Sequence, residues 1–238
     1  MLRHIILLYD RTIDAYPSAK FEVRCLHPHN DRVRFRLFHC TVEGYGKAAD
    51  YASEVNHEGF NVYITVNPLK PDTAATARDT DVEIAGYHFI DVDGVDDTDH
   101  LLDSRKHGFT PAFRVMTGSV PLPRLHTYWK MTEPVRSMDA WRKTQQDLAA
   151  AFGSDPAVVN PARILRLAGT VSYPDDRKAA KGYIPELVRS TLANLSRSIL
   201  APLRRRFTIL LWYRWARLGF RPCQKDRAMF CSMSSTRP

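Results

Sequence analysis

The first part of the chain alternates apolar and polar residues with a period of two, which is the pattern of half-buried β-strands. Two such runs, 21–25 and 33–38, flank a polar segment at 27–31 and together predict a β-hairpin. Residues 44–55 carry apolar side chains at helical spacing, and a further strand pattern follows at 61–66. The chain is therefore expected to open with two strands, a helix and a third strand.

The middle of the chain is richer in strand patterns. Extended patterns cover four segments, which are 87–93, 113–116, 125–131 and 163–167. Between the last two, Ser137 can cap a helix that Gly153 ends, with Trp141 and Phe152 on one face. Because strands follow one another directly as well as alternating with helices, the order favours an α+β fold over a regular doubly wound sheet.

The charge of the chain is unevenly distributed. The 238 residues include 34 basic and 26 acidic side chains, which gives a formal net charge of +8. Residues 187–238 hold 11 basic residues and one acidic residue, while residues 1–186 hold 23 and 25. The basic net charge thus describes the last fifth of the chain, and the body is slightly acidic. Its function has to be sought in particular sites.

The cysteines and the apolar segments indicate a compartment. The four cysteines have no C-x-x-C spacing, and no histidine is placed to suggest a zinc knuckle, so we expect reduced structural thiols of a cytoplasmic protein. The N-terminal residues do not resemble a secretory signal. The most apolar stretch, 207–220, contains two arginines and is too short to span a membrane, so no membrane association is expected.

The most informative segment is Phe89-Ile90-Asp91-Val92-Asp93-Gly94. Alternate residues of a strand point to the same side, so Asp91 and Asp93 present adjacent carboxylates. Such a pair can hold Mg²⁺ or Mn²⁺ for phosphoryl transfer. Alternatively it belongs to a solvated acidic turn, because three more aspartates follow at 96–99. The apolar run before Asp91 favours the metal site.

His126 lies in the strand predicted over 125–131. The alternation there predicts a polar outer face with His126, Tyr128 and Lys130, opposite an apolar core face. A lone strand histidine is more often a surface residue than a catalytic one, so its importance depends on its neighbours.

Further candidates follow the predicted helix. Asp155, in Gly153-Ser154-Asp155-Pro156, is either a turn aspartate before proline or a third metal ligand. Beyond it, Arg163, Arg166 and Lys178 could contact a triphosphate or form structural ion pairs with the acidic body.

Taken in order, these motifs resemble the archaeo-eukaryotic primase superfamily, and in particular the RepB-like primase domains of plasmids, phages and mobile elements. The resemblance rests on four segments, which are 61–68, 89–94, 117–129 and 160–170. It implies an RRM-like antiparallel sheet with helices, at about 81–186, joined to a smaller N-terminal α/β unit at about 1–80. Residues 187–238 would then follow as a basic tail.

The resemblance implies a DNA primase, which is a nucleotidyltransferase that synthesises primers by two-metal phosphoryl transfer. Its site residues would be Asp91, Asp93 and Asp155 for Mg²⁺ or Mn²⁺, and His126, Arg163, Arg166 and Lys178 for the phosphates of a nucleoside triphosphate. The template would be single-stranded DNA, with Tyr63, Tyr87 and Tyr128 as candidates for stacking on its bases. Primases of this type often continue into, or work beside, a helicase. Because the chain has no G-x-x-x-x-G-K-[ST] motif, the expected helicase partner would be a separate protein.

Two other functions stay open at this point. A non-catalytic RRM-like nucleic-acid-binding protein would have Asp91 and Asp93 as strand-end acids only, and a metal-dependent nuclease would use the same carboxylates. An acidic pair suits passive phosphate binding poorly, and the ordered His and Arg motifs suit a triphosphate better than a nuclease water. The sequence therefore favours the polymerase.

The basic tail at 187–238 has three interpretations. It could be an arm for nucleic acid or a membrane surface, a helical subdomain, or a segment without selected function, such as the product of a truncated or frame-shifted gene. The sudden change of composition after residue 186 favours the last.

Overall fold

The structure is a computed structural model that describes residues 1–9, 15–93 and 110–192, all within one unit, Met1–Asn194. The aspartates at 96–99 and most of the basic tail lie outside the described residues. The helices are α1 (Leu2–Tyr9), α2 (Val42–His57), α3 (Met138–Phe152) and α4 (Asp176–Ala179), with a 3₁₀ turn at Asp79–Asp81. The strands are β1 (Lys20–Leu26), β2 (Val33–His39), β3 (Asn61–Thr65), β4 (Ala85–Asp93), β5 (Phe113–Gly118), β6 (Arg124–Val135), β7 (Ile164–Arg166), β8 (Val171–Ser172), β9 (Glu186–Leu187) and β10 (Arg189–Leu192).

Two four-stranded antiparallel sheets organise the described residues. The first sheet has the order β2-β1-β3-β7, the second has the order β10-β5-β6-β4, and β8 pairs with β9. Strand β7 follows α3 in the chain but pairs with β3, so residues from the second half complete the sheet that the N-terminal hairpin begins. This arrangement confirms the predicted α+β fold with antiparallel sheets and helices.

Helices α2 and α3 form where the sequence predicts them, because each has a cap and one apolar face. In α2, Thr41 accepts a hydrogen bond from the Gly44 N–H, and Tyr45 and Ala48 belong to the buried face. In α3, Ser137 caps the first turn and Gly153 ends the helix in the left-handed conformation, with φ 59°.

Helix α3 covers one face of the second sheet. Phe152 belongs to a core cluster with Ile90, Val92 and Trp129, which are the β4 and β6 residues on that face. The carboxylates of Asp91 and Asp93 therefore point to the opposite side of the sheet.

The opposite face of the second sheet is buried under α1, and the prediction of an exposed polar face on β6 is wrong at this point. His126 is 3% exposed and Tyr128 is fully buried, while Lys130 is exposed. His4 of α1 packs edge-on against Tyr128 with 5.9 Å between ring centroids. On its other side α1 reaches the first sheet, where the Tyr9 hydroxyl donates to the Thr65 carbonyl. The helix fills the space between the sheets.

The second sheet continues beyond the body boundary predicted at 186. Strand β10 pairs antiparallel with β5, from Arg189 opposite Met116 to Leu192 opposite Phe113. Cys25 and Cys40 are free and buried. Within the described ranges, no helix combines the length and apolar character needed to cross a bilayer.

Candidate active site

Strands β4 and β6 place the predicted catalytic carboxylate and histidine side by side. Asp91 is directly opposite His126 in the antiparallel register, so both side chains project from the same face. Asp91 Oδ1 lies 3.6 Å from His126 Nε2, which is longer than a hydrogen bond. This oxygen is buried and has no hydrogen-bond partner among the described residues.

Asp155 approaches Asp91 through the turn that follows α3. Its backbone N–H donates to the Asp91 carbonyl at 3.3 Å, and its Oδ1 accepts from the Ala157 N–H at 2.8 Å. Asp155 therefore forms the turn before Pro156 and also lies close to Asp91. Burial, followed by the charge of Asp155, raises the pKa of Asp91 to about 6.

His126 is uncharged in this environment. Burial, with a smaller contribution from the Arg166 charge, lowers the pKa of His126 to about 3. A neutral imidazole keeps one N–H donor and one acceptor nitrogen, so His126 can donate a hydrogen bond without carrying charge.

Three cations approach the carboxylates: Arg166 from β7, Arg163 from the residue before β7, and Lys178 from α4. Arg166 donates to Asn61 Oδ1 at 2.7 Å and lies 5.0 Å from the centroid of the Tyr63 ring. Arg163 donates to the Ala157 carbonyl. Neither these two arginines nor Lys178 forms an ion pair with any carboxylate in the part of the chain that the structure describes. Their positive charges are therefore available to a ligand.

All the predicted site residues line a single cavity of about 310 Å³. They are Asp91, Asp93, His126, Asp155, Arg163, Arg166 and Lys178. The cavity opens where the last residues of β4 and the first residues of β6 meet β7 and the segment 172–184. Carboxylates and cations thus line the same cavity.

Arg124 also lines the cavity, and the sequence analysis did not include it. Its side chain is 7% exposed and donates to Glu186 Oε2 at 2.9 Å, and its guanidinium lies 4.4 Å from the centroid of the Tyr183 ring. It precedes His126 by two positions on β6 and is opposite Asp93. The period-two alternation that directs His126 to the site also directs Arg124 there.

The donor groups suit a divalent cation that is completed by a substrate. Among the residues that the structure describes, no three His, Cys, Asp or Glu side chains are arranged as a complete metal site. A positive charge at this place would nevertheless stabilise ionised Asp91, because one of its oxygens has no partner and Asp155 repels it. Hard carboxylate oxygens, one or two per ion with phosphate and water as other ligands, are the usual environment of Mg²⁺. The carboxylates present therefore fit a hard divalent cation that has substrate oxygens among its ligands.

Comparisons with known proteins agree with the fold and with the family resemblance. The model of the RepB DNA-primase N-terminal domain family matches residues 30–200. The AEP domain of the primase-polymerase (PrimPol) of cyanophage S-2L has a similar fold, with a TM-score of 0.56 and 24% identity, over 81% of this chain and 90% of that chain. The crystal structure of primase RepB′ has a TM-score of 0.50 and 16% identity, over 98% of this chain and 68% of that chain. No curated protein matches the sequence significantly.

Proposed function

The chain belongs to the RepB DNA-primase N-terminal domain family, and from this premise we propose that it is a DNA primase that synthesises primers on single-stranded DNA from nucleoside triphosphates. One observation carries the proposal: a single cavity is lined by three carboxylates, a histidine and four cations. Attack of a 3′-hydroxyl on an α-phosphate needs acidic groups for metal and basic groups for phosphate in the same place. We assign the activity to replication of a plasmid, phage or mobile element.

The carboxylates are the proposed metal ligands. Mg²⁺ or Mn²⁺ bound by Asp91, Asp93 and Asp155 would lower the pKa of the attacking hydroxyl and neutralise the pyrophosphate leaving group. The raised pKa of Asp91 supports this assignment, because the buried, unpartnered carboxylate lacks the positive charge that would stabilise its ionised form.

The histidine and the cations are the proposed triphosphate ligands. Neutral His126 can donate an N–H to a phosphate oxygen next to Asp91. Arg163, Arg166 and Lys178 would balance the phosphate charge. Arg166 is held by Asn61 and by the Tyr63 ring, so little reorganisation of its guanidinium is needed when the nucleotide binds.

The test is primer synthesis by the full chain on single-stranded DNA with nucleotides and Mg²⁺ or Mn²⁺. The double variant Asp91→Ala/Asp93→Ala is expected to lose activity by at least about 100-fold, the scale for loss of a group that stabilises transition-state charge. Asp139→Ala/Asp147→Ala removes the same charge from exposed positions of α3 and is expected to remain active.

The same reactions separate the primase from the other functions. Normal synthesis by Asp91→Ala/Asp93→Ala, with its fold confirmed by circular dichroism, would disprove the mechanism. Metal-dependent shortening of a labelled template, without primers, would indicate a nuclease. DNA binding without any metal-dependent product would indicate a non-catalytic binding protein.

A further inference from the structure

A row of side chains crosses the first sheet and ends at the cavity. The antiparallel registers pair Phe35 of β2 with Arg24 of β1, Arg24 with Tyr63 of β3, and Tyr63 with Arg166 of β7. Directly paired residues project from the same face, so these four side chains, here called the Phe35–Arg166 row, are neighbours. Tyr63 and Arg166 also line the cavity. The row therefore leads from the cavity to the edge of the sheet.

The row lies on the face of the first sheet that α2 does not cover. The opposite face, with Phe21 and Phe38, packs on Tyr45 and Tyr51 of α2. Phe35 is 42% exposed, which is unusual for a large aromatic side chain on a strand that contributes Phe38 to the core. The core does not account for Phe35 in this position.

Two segments border the row without covering it. On one side Glu22, in the next row, is fully buried, and its Oε2 accepts from the Ala77 N–H. On the other side His29 contacts Asp176 of α4 at 2.9 Å, and Asn61 accepts from the Tyr173 N–H. The exposed part of the sheet is therefore a track between these segments, open at Phe35 and continuous with the cavity.

Arg24 is fixed in the middle of this track by Glu22. The buried carboxylate accepts from Arg24 Nε and, at 2.8 Å, from Arg24 Nη2. The Nη1 group has no partner within the described ranges, and 21% of the Arg24 side chain is exposed. A fixed guanidinium thus lies between two aromatic rings, and a second guanidinium, that of Arg166, stacks on Tyr63.

We propose that single-stranded DNA lies along the Phe35–Arg166 row, with one base stacked on Phe35, a phosphate at Arg24 and a second base on the face of Tyr63 that Arg166 does not cover. Aromatic rings that alternate with cations match the alternation of bases and phosphates in a single strand. The row spans about 14 Å, three inter-strand spacings, which gives room for a short stretch of template. That this strand is the template rests on the proposed primase function. Tyr87 and Tyr128, the other stacking candidates, are buried under α1 and cannot take this role.

The test measures binding alone. Fluorescence anisotropy of labelled oligothymidylate with the full chain, in EDTA and without nucleotides, reports DNA binding independently of catalysis. Phe35→Ala is expected to weaken binding about fivefold or more, and Phe35→Trp to restore it, because any aromatic face can stack on a base. Arg24→Gln should weaken binding as well. This variant removes the ion-pair partner of buried Glu22, so its fold must be checked. The exposed Phe35 is therefore the decisive position.

Arg36→Gln is the matched control. Arg36 is on the same strand and carries the same charge as Arg24, but it projects from the opposite face, over the Tyr51 ring at 4.8 Å. It is expected to bind DNA within about twofold of wild type. The effect of Phe35→Ala should persist at raised salt, which weakens any phosphate contacts of the basic tail, because stacking does not release counterions.

The outcomes separate this inference from the proposed function. If wild type synthesises primers but Phe35→Ala binds DNA like wild type, the row is not the template track and the primase proposal stands. If Phe35→Ala loses DNA binding but wild type makes no primers, the track stands and the proposed function fails. If Arg36→Gln weakens DNA binding as much as Arg24→Gln does, the loss is a general effect of charge. That result would overturn the inference.

Discussion

Gly118, at the end of β5, gives Arg124 the space to face the cavity. A Cβ at this position would collide with Arg124 Nη2 and lie 2.6 Å from Glu186 Oε2. Glu186 also accepts from the Ser119 N–H and hydroxyl and from the Val120 N–H. These contacts hold the carboxylate that in turn orients Arg124. The position of one cation in the cavity thus depends on the absence of a side chain at residue 118.

Gly118→Ala is expected to displace Arg124 and to raise the KM for nucleotide about tenfold, the scale of one charge-assisted hydrogen bond. The measurement is primer synthesis as a function of nucleotide concentration. Gly46→Ala is the control, because Gly46 lies within α2 with no atom within 4 Å of an added Cβ. That variant should keep the wild-type KM and gain about 0.5–1 kcal/mol in stability. An unchanged KM in folded Gly118→Ala would exclude a role of Arg124 in nucleotide binding.

Among the elements, α1 decides the environment of the site. His4 accepts a hydrogen bond from the Ala168 N–H at its Nδ1 and packs against Phe113 and Tyr128. Burial, with smaller contributions from the charges of His126 and the terminal amine, lowers the pKa of His4 to about 3. The helix therefore holds a neutral histidine directly below the one that faces Asp91.

This burial makes stability depend on pH. Because the folded pKa of His4 is lowered from 6.5 to about 3, the unfolded state binds the extra proton between these values. The contribution of neutral His4 to the free energy of unfolding is therefore fully present above about pH 6.5, and it is lost as the pH decreases towards 3. His4→Asn keeps an acceptor for Ala168 but does not titrate. Its urea unfolding free energy is expected to fall less than that of wild type between pH 7 and pH 4.5, by about 1 kcal/mol or more. Parallel pH profiles of the two proteins would contradict this.

The sequence predicted the elements whose patterns are local and missed those that depend on distant partners. The hairpin and the caps at Ser137 and Gly153 could be predicted because alternation and capping involve neighbouring residues. Helix α1 is buried from His4 to Tyr9 on all sides, so it has no polar face to give a helical period. Because α1 was not predicted, the burial of His126 beneath it was not predicted either. Arg124 was missed because the strand predicted over 125–131 begins one residue too late, whereas the observed strand starts at Arg124.

At the scale of the whole molecule, the second sheet is completed by β10, a strand at the start of the basic tail. It pairs with β5, where Phe113 and Val115 are fully buried. Val188, just before it, exchanges backbone hydrogen bonds with Gly169 and Thr170. We propose that the folded body extends to residue 194, the end of the compact unit, rather than to 186.

A pair of truncations tests this boundary. A chain that ends at residue 194 is expected to unfold in urea with the free energy of the full chain, because it keeps β10. A chain that ends at residue 188 should lose at least about 2 kcal/mol, since several backbone hydrogen bonds of the β10–β5 pair disappear and the edge of β5 is exposed. Equal stability of the two truncations would place the boundary before β10.

The truncation at 194 also tests what the basic residues do. It removes ten basic residues and one acidic residue, so a body with nearly balanced charge remains. The salt dependence of binding to single-stranded DNA reports the number of phosphates neutralised, with a slope of about −0.7 per contact. If the basic segment contacts DNA non-specifically, the truncated chain should have a shallower slope and weaker binding at low salt, while the loss caused by Phe35→Ala stays the same.

Primer synthesis at saturating template is expected to be unchanged, because the proposed metal and phosphate ligands all lie before residue 194. Loss of synthesis in a folded 1–194 chain would show that the segment acts in the reaction and is not merely an attachment to DNA.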